Sequence, residues 1–249
     1  MIPKIIHQTW KTAKLPIRWQ GFRESWKRLH PDWELRLWTD DDNMLLVEKY
    51  YPDFLELYKS YEYPILKSDF ARILYLHKFG GLYADLDLEP LKPLDRLVEK
   101  PCLVVGIERG GMGKTVNNQD YVINACMASP KGHLFWEMLL ERLQITFRRK
   151  RFLESKGPYV MQTIVFELDK MAREYQRDHT DIIIHPSEVF YPRSWNQPNS
   201  ESQRRKALEK QSYTIHHYDT TWFSGGMLLV KWLMRRLHLL ESYFLAGKC

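Results

Sequence analysis

A short acidic segment that follows a glycine pair constrains this chain more than any other feature of the sequence. Residues 85–89 read Asp-Leu-Asp-Leu-Glu and follow Gly-Gly-Leu-Tyr-Ala at residues 80–84. In a strand, side chains alternate between the two faces, so the leucines are expected to enter a core and the acids to point away from it. The second face would carry Tyr83, Asp85, Asp87 and Glu89.

Carboxylates packed this closely repel one another and resist burial unless a cation lies among them. Oxygen ligands of this kind favour a hard ion such as Mg²⁺ or Mn²⁺. A strand with a solvated, acidic outer face would show the same sequence pattern. The segment alone therefore leaves two interpretations open, a divalent metal site and an exposed acidic face.

The residues before this segment predict a helix that leads directly into it. Residues 64–79 have apolar side chains at helical spacing, a proline suited to the first turn, and Gly80-Gly81 as a stop. Asp69 and Arg72 lie three positions apart on this helix and therefore share one face. Taken alone, they are most simply interpreted as a surface ion pair, which adds little stability.

Strand and helix signals alternate along the chain. Strands are predicted at residues 5–7, 33–38, 82–89, 103–107, 124–129, 182–185 and 213–217. Helices are predicted at residues 19–29, 39–50, 64–79, 133–147 and 159–173, and an amphipathic helix at 229–245. Such alternation is typical of an α/β protein with a mostly parallel sheet covered on both faces, in which ligands bind at the carboxyl ends of the strands. No linker rich in Gly, Ser or Pro divides the chain, so we expect one domain over residues 1–249.

The charge balance favours an anionic partner. The formal net charge is +6 at pH 7 and the sequence pI is about 9.1. A nucleotide sugar, an anionic membrane surface or a phosphorylated ligand would fit this charge. Nucleic acid is not expected, because no helix-turn-helix, zinc-finger or RNA-binding signature accompanies it.

Ordered blocks that extend over most of the chain resemble one known family. The blocks are residues 2–11, 68–72, 80–87, 91–95, 124–133, 156–158 and 216–222, with the signature region at 2–95 and the closing element and helix at 213–245. They are similar to the glycosyltransferases of family 32, which carry an Asp-x-Asp (DXD) motif. The sequence departs from the family pattern at Lys131, which interrupts a Pro-Gly-His turn, at Lys156 in place of threonine, and at Thr221 in place of serine.

The resemblance implies a fold and an activity. The fold would be the GT-A type of nucleotide-sugar transferase, a mostly parallel mixed sheet flanked by helices. The activity would be the metal-dependent transfer of a hexose, with mannose favoured, from GDP-mannose or a UDP-hexose to a glycan, glycolipid or protein hydroxyl. The anomeric configuration would be retained, through same-face displacement of the diphosphate by the acceptor hydroxyl.

The resemblance also implies a metal site. Asp85 and Asp87 would hold Mn²⁺ or Mg²⁺ against the diphosphate of the donor, and His217 or Thr221 would supply a further contact. Judged from the residues alone, His216 and His217 would equally fit a strand-end pair with one buried, hydrogen-bonded histidine.

Donor-binding roles follow in the same way. Asp69 and Arg72 would hold the ribose and sugar hydroxyls, and Arg72 is also counted with the two aspartates as catalytic. Tyr83 would touch the sugar or ribose. Trp10 would form part of the wall around the base, although ordinary core packing would also explain it, and Trp222 would close over the diphosphate or sugar.

The expected location depends on what precedes residue 2. Cys102, Cys126 and Cys249 show no metal-binding spacing, which favours reduced cysteines. Because no secretory leader and no apolar run of membrane-spanning length are present, we expect a cytoplasmic protein as the chain stands. A Golgi location is expected if an N-terminal anchor precedes this sequence. If the acceptor is a lipid, the helix predicted at 229–245 is where we expect peripheral membrane contact.

Two alternative functions share parts of this pattern. A phosphotransferase of the haloacid dehalogenase type also uses two aspartates separated by one residue, but Glu89 occupies the position where those enzymes resemble threonine. A non-catalytic sugar- or metal-binding protein could keep the fold and lose turnover. The presence of Asp69, Arg72 and both aspartates of the motif favours activity.

Overall fold

The computed structural model describes residues 1–109, 120–150, 163–193 and 212–219, together with residues 202, 204, 206 and 208. The predicted helix at 229–245, the block at 156–158, Thr221 and Trp222 lie outside the described residues. Within the described ranges, no helix combines the length and the apolar character that crossing a membrane requires.

In the part of the chain that the structure describes, eight strands form two sheets. The strands are β1 (Ile5–Thr9), β2 (Glu34–Trp38), β3 (Gly81–Ala84), β4 (Leu88–Pro90), β5 (Leu103–Glu108), β6 (Tyr121–Ser129), β7 (Ile182–His185) and β8 (Thr214–His216). Six of them form the central sheet in the order β2-β1-β3-β6-β5-β7, and β4 pairs with β8 in a separate antiparallel ribbon. In the central sheet, β6 is antiparallel to both of its neighbours and the other pairs are parallel.

Helices cover both faces of the central sheet. They are α1 (Ile17–Leu29), α2 (Asp40–Tyr50), α3 (Leu55–Ser60), α4 (Pro64–Phe79), α5 (Leu134–Lys150), α6 (Thr163–Asp178) and α7 (Ser187–Phe190), with 3₁₀ turns at Pro52–Phe54 and Asp95–Leu97. Apolar side chains of α2 to α6 share one buried cluster with one face of the sheet. Side chains of α1 and α7 share a second cluster with the other face. The predicted α/β class, a mostly parallel mixed sheet flanked by helices as in a GT-A fold, is confirmed.

The acidic segment differs from the prediction. It does not continue one strand through residues 82–89, because β3 ends at Ala84 and residues 86 and 87 form a turn before β4 begins. The Asp85 amide donates to the Ala125 carbonyl of β6 at 2.9 Å, and the Leu88 amide closes the turn on the Asp85 carbonyl at 3.1 Å. The chain leaves the central sheet here in order to pair with β8. Both aspartates consequently lie at the carboxyl end of β3.

The helices that the sequence did not predict are short. Helix α3 has 6 residues and α7 has 4, too few for a helical period to show. The cap predicted for α2 is present, since the Thr39 hydroxyl accepts from the Asp42 amide and the Asp42 carboxylate accepts from the Thr39 amide.

Gly81 joins α4 to the acidic segment in a conformation that other residues rarely adopt. Its φ is +99°, and a Cβ added there would lie 2.5 Å from the Ile5 carbonyl oxygen of β1. We therefore expect Gly81→Ala to lower the free energy of unfolding by about 2–3 kcal/mol, through backbone strain and displacement of β1. Urea denaturation of the purified protein measures this loss.

Gly21 provides the matched control for this substitution. It lies in α1 with nothing within 4 Å of an added Cβ. Gly21→Ala should raise stability by up to about 1 kcal/mol, because alanine is the better helix former. If Gly81→Ala were as stable as the wild type, the assigned backbone at Gly81 would be contradicted.

Candidate metal and donor site

Three potential metal ligands meet where β3 ends and the ribbon of β4 and β8 begins. Among the described residues, ligand atoms of Asp85, Asp87 and His216 all lie within 4.8 Å of one another. The Nε2 atom of His216 is 3.3 Å from Asp87 Oδ1 and 3.9 Å from Asp85 Oδ2. Pairing of His216 with Leu88 in the ribbon brings the histidine to the two acids.

The two neighbouring histidines have different partners. His216 faces the aspartates, whereas His217 Nε2 lies 3.0 Å from Glu89 Oε2. The His217 ring also stacks on Phe22 of α1, with ring centroids 4.6 Å apart. The preference for His217 as a metal ligand is therefore corrected, because the structure places His216 beside the two aspartates. Glu89 is likewise turned toward His217 instead of the metal site.

Arg72 lies at the centre of a buried polar network in this site. Its side chain is 4% exposed and contacts Asp69 Oδ1 and Asp85 Oδ1, each at 3.0 Å. It also donates to the Asn124 carbonyl at 3.1 Å, and the guanidinium lies 4.5 Å from the centroid of the Tyr83 ring. The surface ion pair considered for Asp69 and Arg72 is therefore wrong, because these residues form a buried network below the acidic turn.

Burial sets the protonation behaviour of this network. Burial raises the pKa of Asp69 to about 6, although Arg72 and the Asn124 amide, which donates at 3.0 Å, work in the opposite direction. Burial alone would lower the pKa of Arg72, but the surrounding acids, Asp85 first, hold it above the ordinary value. Arg72 therefore stays charged and neutralises part of the negative charge of the turn.

The acids of the turn have opposite pKa shifts. Burial raises the pKa of Asp85, against the effect of Arg72. Burial acts in the same direction on Asp87, but His216 and backbone amides outweigh it and hold the pKa of Asp87 below its ordinary range. The pKa of His216 is raised despite burial, because Asp87, Asp85 and Glu108 surround it with negative charge. A protonated His216 would offset part of the negative charge of the two carboxylates.

The residues at this turn fit a divalent metal ion. Ligand atoms of two carboxylates and an imidazole lie within 4.8 Å of one another, and such a set of ligands binds divalent ions well. An ion held there would also balance the negative charge that His216 balances when protonated. The chemistry of these three ligands thus agrees with the Mn²⁺ or Mg²⁺ expected from the sequence.

Helix α1 holds the segment that follows His216. The Asp219 amide donates to Asp87 Oδ2 at 2.8 Å. The Asp219 carboxylate is bound in turn by Arg18 at 2.8 Å and by the Trp19 indole N–H at 2.8 Å. These contacts orient Asp87. The sequence analysis did not connect helix α1 with this aspartate.

The predicted donor-binding aromatic residues lie in different surroundings. Trp10 is partly buried beside the turn, edge-on to Trp19 with ring centroids 4.6 Å apart, in a cluster that includes Leu86. Tyr83 is 1% exposed, and its hydroxyl donates to Asp85 Oδ1 at 2.6 Å. In the observed arrangement, Tyr83 therefore supports Asp85 from below and presents almost no free surface.

Two buried polar residues near the turn were not given roles from the sequence. Asn124 lies in β6 and is 7% exposed, and Glu108 ends β5 and is 8% exposed. Each is a polar residue at the end of, or within, an apolar run. A lone polar side chain in a buried strand near the ligand-binding edge is a signal that could have identified both.

Two family models match the chain. Residues 16–104 match the sugar-binding region of glycosyltransferases that contains a DXD motif, and residues 128–228 match the conserved region of α-1,4-glycosyltransferases. The fold and the acidic turn are thus those of a glycosyltransferase domain. More particularly, the chain belongs to the DXD-containing glycosyltransferases, the family that its sequence resembles.

Curated relatives come from yeast. The chain is 35% identical to inositol phosphoceramide mannosyltransferase 2 of Schizosaccharomyces pombe, over 100% of this chain and 65% of the relative. It is 39% identical to inositol phosphoceramide mannosyltransferase 3 of the same organism, over 57% of this chain and 37% of the relative. The chain therefore spans less than two thirds of the length of these relatives.

Solved glycosyltransferases are similar at a lower level. One example is a glycosyltransferase involved in the glycosylation of the major capsid of PBCV-1. It has a TM-score of 0.41 and 12% sequence identity, with 86% of this chain and 93% of that chain covered.

Proposed function

We propose that this protein transfers a hexose, mannose first among the candidates, from a nucleoside diphosphate sugar to a hydroxyl group of a glycan or glycolipid. The observation that supports this proposal most directly is the convergence of Asp85, Asp87 and His216 within 4.8 Å, at the carboxyl end of a strand in a DXD glycosyltransferase domain. Ligands of α/β sheets bind at that edge.

Each residue of the site has a physical role in this reaction. Asp85, Asp87 and His216 would hold Mn²⁺ or Mg²⁺, which when bound supplies positive charge beside the departing diphosphate. Asp87 keeps its orientation through the Asp219 amide. Arg72 contacts Asp85 from the buried side and favours its ionised form, so that the turn meets the donor already in place.

The remaining assignments concern the donor. Asp69 and Arg72 are buried under the turn, and Trp10 lies in the cluster that includes Leu86. The ribose and sugar contacts of Asp69 and Arg72 and the base contact of Trp10 stay part of this proposal. The acceptor hydroxyl would attack on the face from which the diphosphate leaves, so that the anomeric configuration is retained.

The named relatives guide the choice of sugar and acceptor. Both S. pombe relatives are named as mannosyltransferases that act on inositol phosphoceramide, and one of them aligns with the whole of this chain. GDP-mannose is therefore the first donor to test, and an inositol phosphate lipid the first acceptor. The net charge of +6 suits both of these anionic molecules.

Release of nucleoside diphosphate tests the proposal. The purified protein is incubated with GDP-mannose, GDP-fucose, UDP-glucose, UDP-galactose or a UDP-N-acetylhexosamine and with Mn²⁺, in the presence and absence of inositol phosphoceramide in detergent micelles. We expect release from one donor, stimulated by the acceptor and abolished by EDTA. Restoration by excess Mn²⁺ controls for damage by the chelator.

Other outcomes of this experiment separate the alternatives. Full activity after removal of metal would contradict the metal role. Donor binding with Mn²⁺ but no product with any acceptor would favour the non-catalytic sugar-binding protein. Release of phosphate from simple phosphate esters would favour the phosphotransferase.

A further inference from the structure

Two buried polar atoms near the acidic turn have no hydrogen-bond partner among the described residues. They are Nδ1 of His216 and Oε1 of Glu108. We propose that Glu108 is a positioning residue that accepts the Nδ1–H of His216 through one water, and so turns Nε2 of the ring toward Asp85 and Asp87. This inference rests on the proposed function, since it concerns the same metal site.

The position of Glu108 in the fold supports this role. It is the last residue of β5, which runs parallel to β3 with β6 between them, so Glu108 and Asp85 lie at the same edge of the sheet. Only 8% of Glu108 is exposed, and it interacts electrostatically with His216. A buried carboxylate at this edge needs a partner that offers a proton or a positive charge.

Tyr218 connects the two residues. Its ring lies against the His216 ring, with centroids 4.0 Å apart, and its hydroxyl hydrogen-bonds with the Glu108 side chain. The φ of Tyr218 is 54°, in the left-handed region that is unfavourable for a non-glycine residue. The hydroxyl also lies within hydrogen-bond distance of the Arg193 carbonyl, at 3.0 Å, so several contacts hold this unfavourable conformation.

The chemistry of imidazole supplies the next step. A histidine that binds a metal through Nε2 must carry its remaining ring proton on Nδ1. A buried N–H without an acceptor is unfavourable. Asp85 and Asp87 lie near Nε2, and of Asp87, Asp85 and Glu108, which all raise the pKa of His216, Glu108 is the one not placed beside that nitrogen.

Pairs of a metal-binding histidine and a carboxylate behind it have a measurable effect on metal affinity. A carboxylate behind a metal-binding histidine fixes the ring orientation and the proton position, and its loss typically weakens metal binding about 10–100-fold. Glu108 would therefore change metal affinity without contacting the metal or the donor.

The first test is a titration of the full chain with Mn²⁺ alone, in which calorimetry measures the binding affinity. We expect Glu108→Ala to weaken Mn²⁺ binding about 10–100-fold. Glu108→Gln should weaken it less, because the amide oxygen still accepts the Nδ1–H. Asp120→Asn is the matched control, since Asp120 carries a nearby negative charge that interacts with Glu108, and it should bind Mn²⁺ almost as the wild type does. Wild-type affinity in a folded Glu108→Ala protein would overturn the proposal.

The metal-free protein provides an independent test. In protein labelled with ¹⁵N at histidine, the Nδ1–H of His216 should give a signal protected from exchange with water in the wild type and in Glu108→Gln. The signal should be lost in Glu108→Ala, and His216→Gln identifies it. Absence of this signal from the wild type would overturn the role of Glu108.

The two tests separate the two proposals. If the wild type bound no Mn²⁺, the metal role in the proposed function would fail, but the Nδ1–H signal would still decide whether Glu108 holds His216. If Mn²⁺ bound normally and the signal did not depend on Glu108, only the positioning role would fail.

Discussion

Asp87→Asn is expected to reduce metal-dependent release of nucleoside diphosphate by about 10³-fold, which corresponds to several kcal/mol of lost stabilisation of the leaving group. Asp87 is the acid whose pKa is held below its ordinary range, so it is fully ionised at neutral pH. Asparagine keeps the size of the side chain and can still accept from the Asp219 amide. The variant therefore removes the charge and leaves the turn in place. Initial rates at a fixed, saturating Mn²⁺ concentration measure the effect.

Asp41→Asn serves as the control for Asp87→Asn. Asp41 is exposed in the first turn of α2 and is not among the ligand atoms that converge at the acidic turn, so its substitution should leave the rate unchanged. The metal affinity of Asp87→Asn should also fall, and additional Mn²⁺ should recover only part of the rate. A rate within a factor of about two of the wild type would exclude Asp87 from the metal site.

The second large effect is expected for Arg72→Met, which should lower the free energy of unfolding by about 3–5 kcal/mol at pH 7.5. Methionine fills a similar volume, but it leaves the buried carboxylate of Asp69 and the partly buried carboxylate of Asp85 without the cation 3.0 Å away. Removal of one partner from a buried ion pair is costly because the other charge stays desolvated. Equilibrium denaturation in urea measures the difference from the wild type.

The loss of unfolding free energy caused by Arg72→Met should become smaller as the pH falls. Burial already raises the pKa of Asp69 to about 6, and loss of Arg72 should raise it further. A carboxyl whose pKa is higher in the folded state takes up protons on folding, so acidification from pH 7.5 to pH 5 favours the folded variant. The double variant Asp69→Asn/Arg72→Met should likewise recover part of the stability at pH 7.5.

Arg173→Met is the matched control for Arg72→Met. Arg173 forms an ion pair with Asp169 on α6 at 2.9 Å, but its side chain is 45% exposed. Exposed pairs contribute about 0–1 kcal/mol, so this variant should be nearly as stable as the wild type. Equal losses for both arginines would contradict the buried network.

Local sequence patterns predicted the regular elements well. Helix α4 and strand β7 have the predicted bounds of 64–79 and 182–185, because a proline and a glycine pair delimit the first and an isoleucine run forms the second. The capped start of α2 was predicted for the same reason. Each of these signals lies within a few residues of the element that it defines.

The arrangement of the site was less predictable because it depends on distant contacts. Strand alternation predicted one acidic strand, but pairing with β8 interrupts it at residues 86 and 87. The same pairing turns His216 toward the acids, which no pattern in the adjacent histidine pair could reveal. Spacing placed Asp69 and Arg72 on one face of a helix, and only the packing of α4 against the sheet shows that this face is buried.

One of the three potential metal ligands depends on a strand of three residues. Strand β8 supplies His216, and the amide that orients Asp87 comes from a residue 132 positions further along the chain. A strand this short forms few backbone hydrogen bonds, and bringing it to β4 costs loop-closure entropy. Its local opening should therefore cost less free energy than global unfolding. Any ion or diphosphate bound across the turn adds its binding free energy to the closed form. Occupation of the site and pairing of β8 with β4 would therefore be coupled, and we expect a bound ion or diphosphate to protect the amide protons of residues 214–219 from exchange.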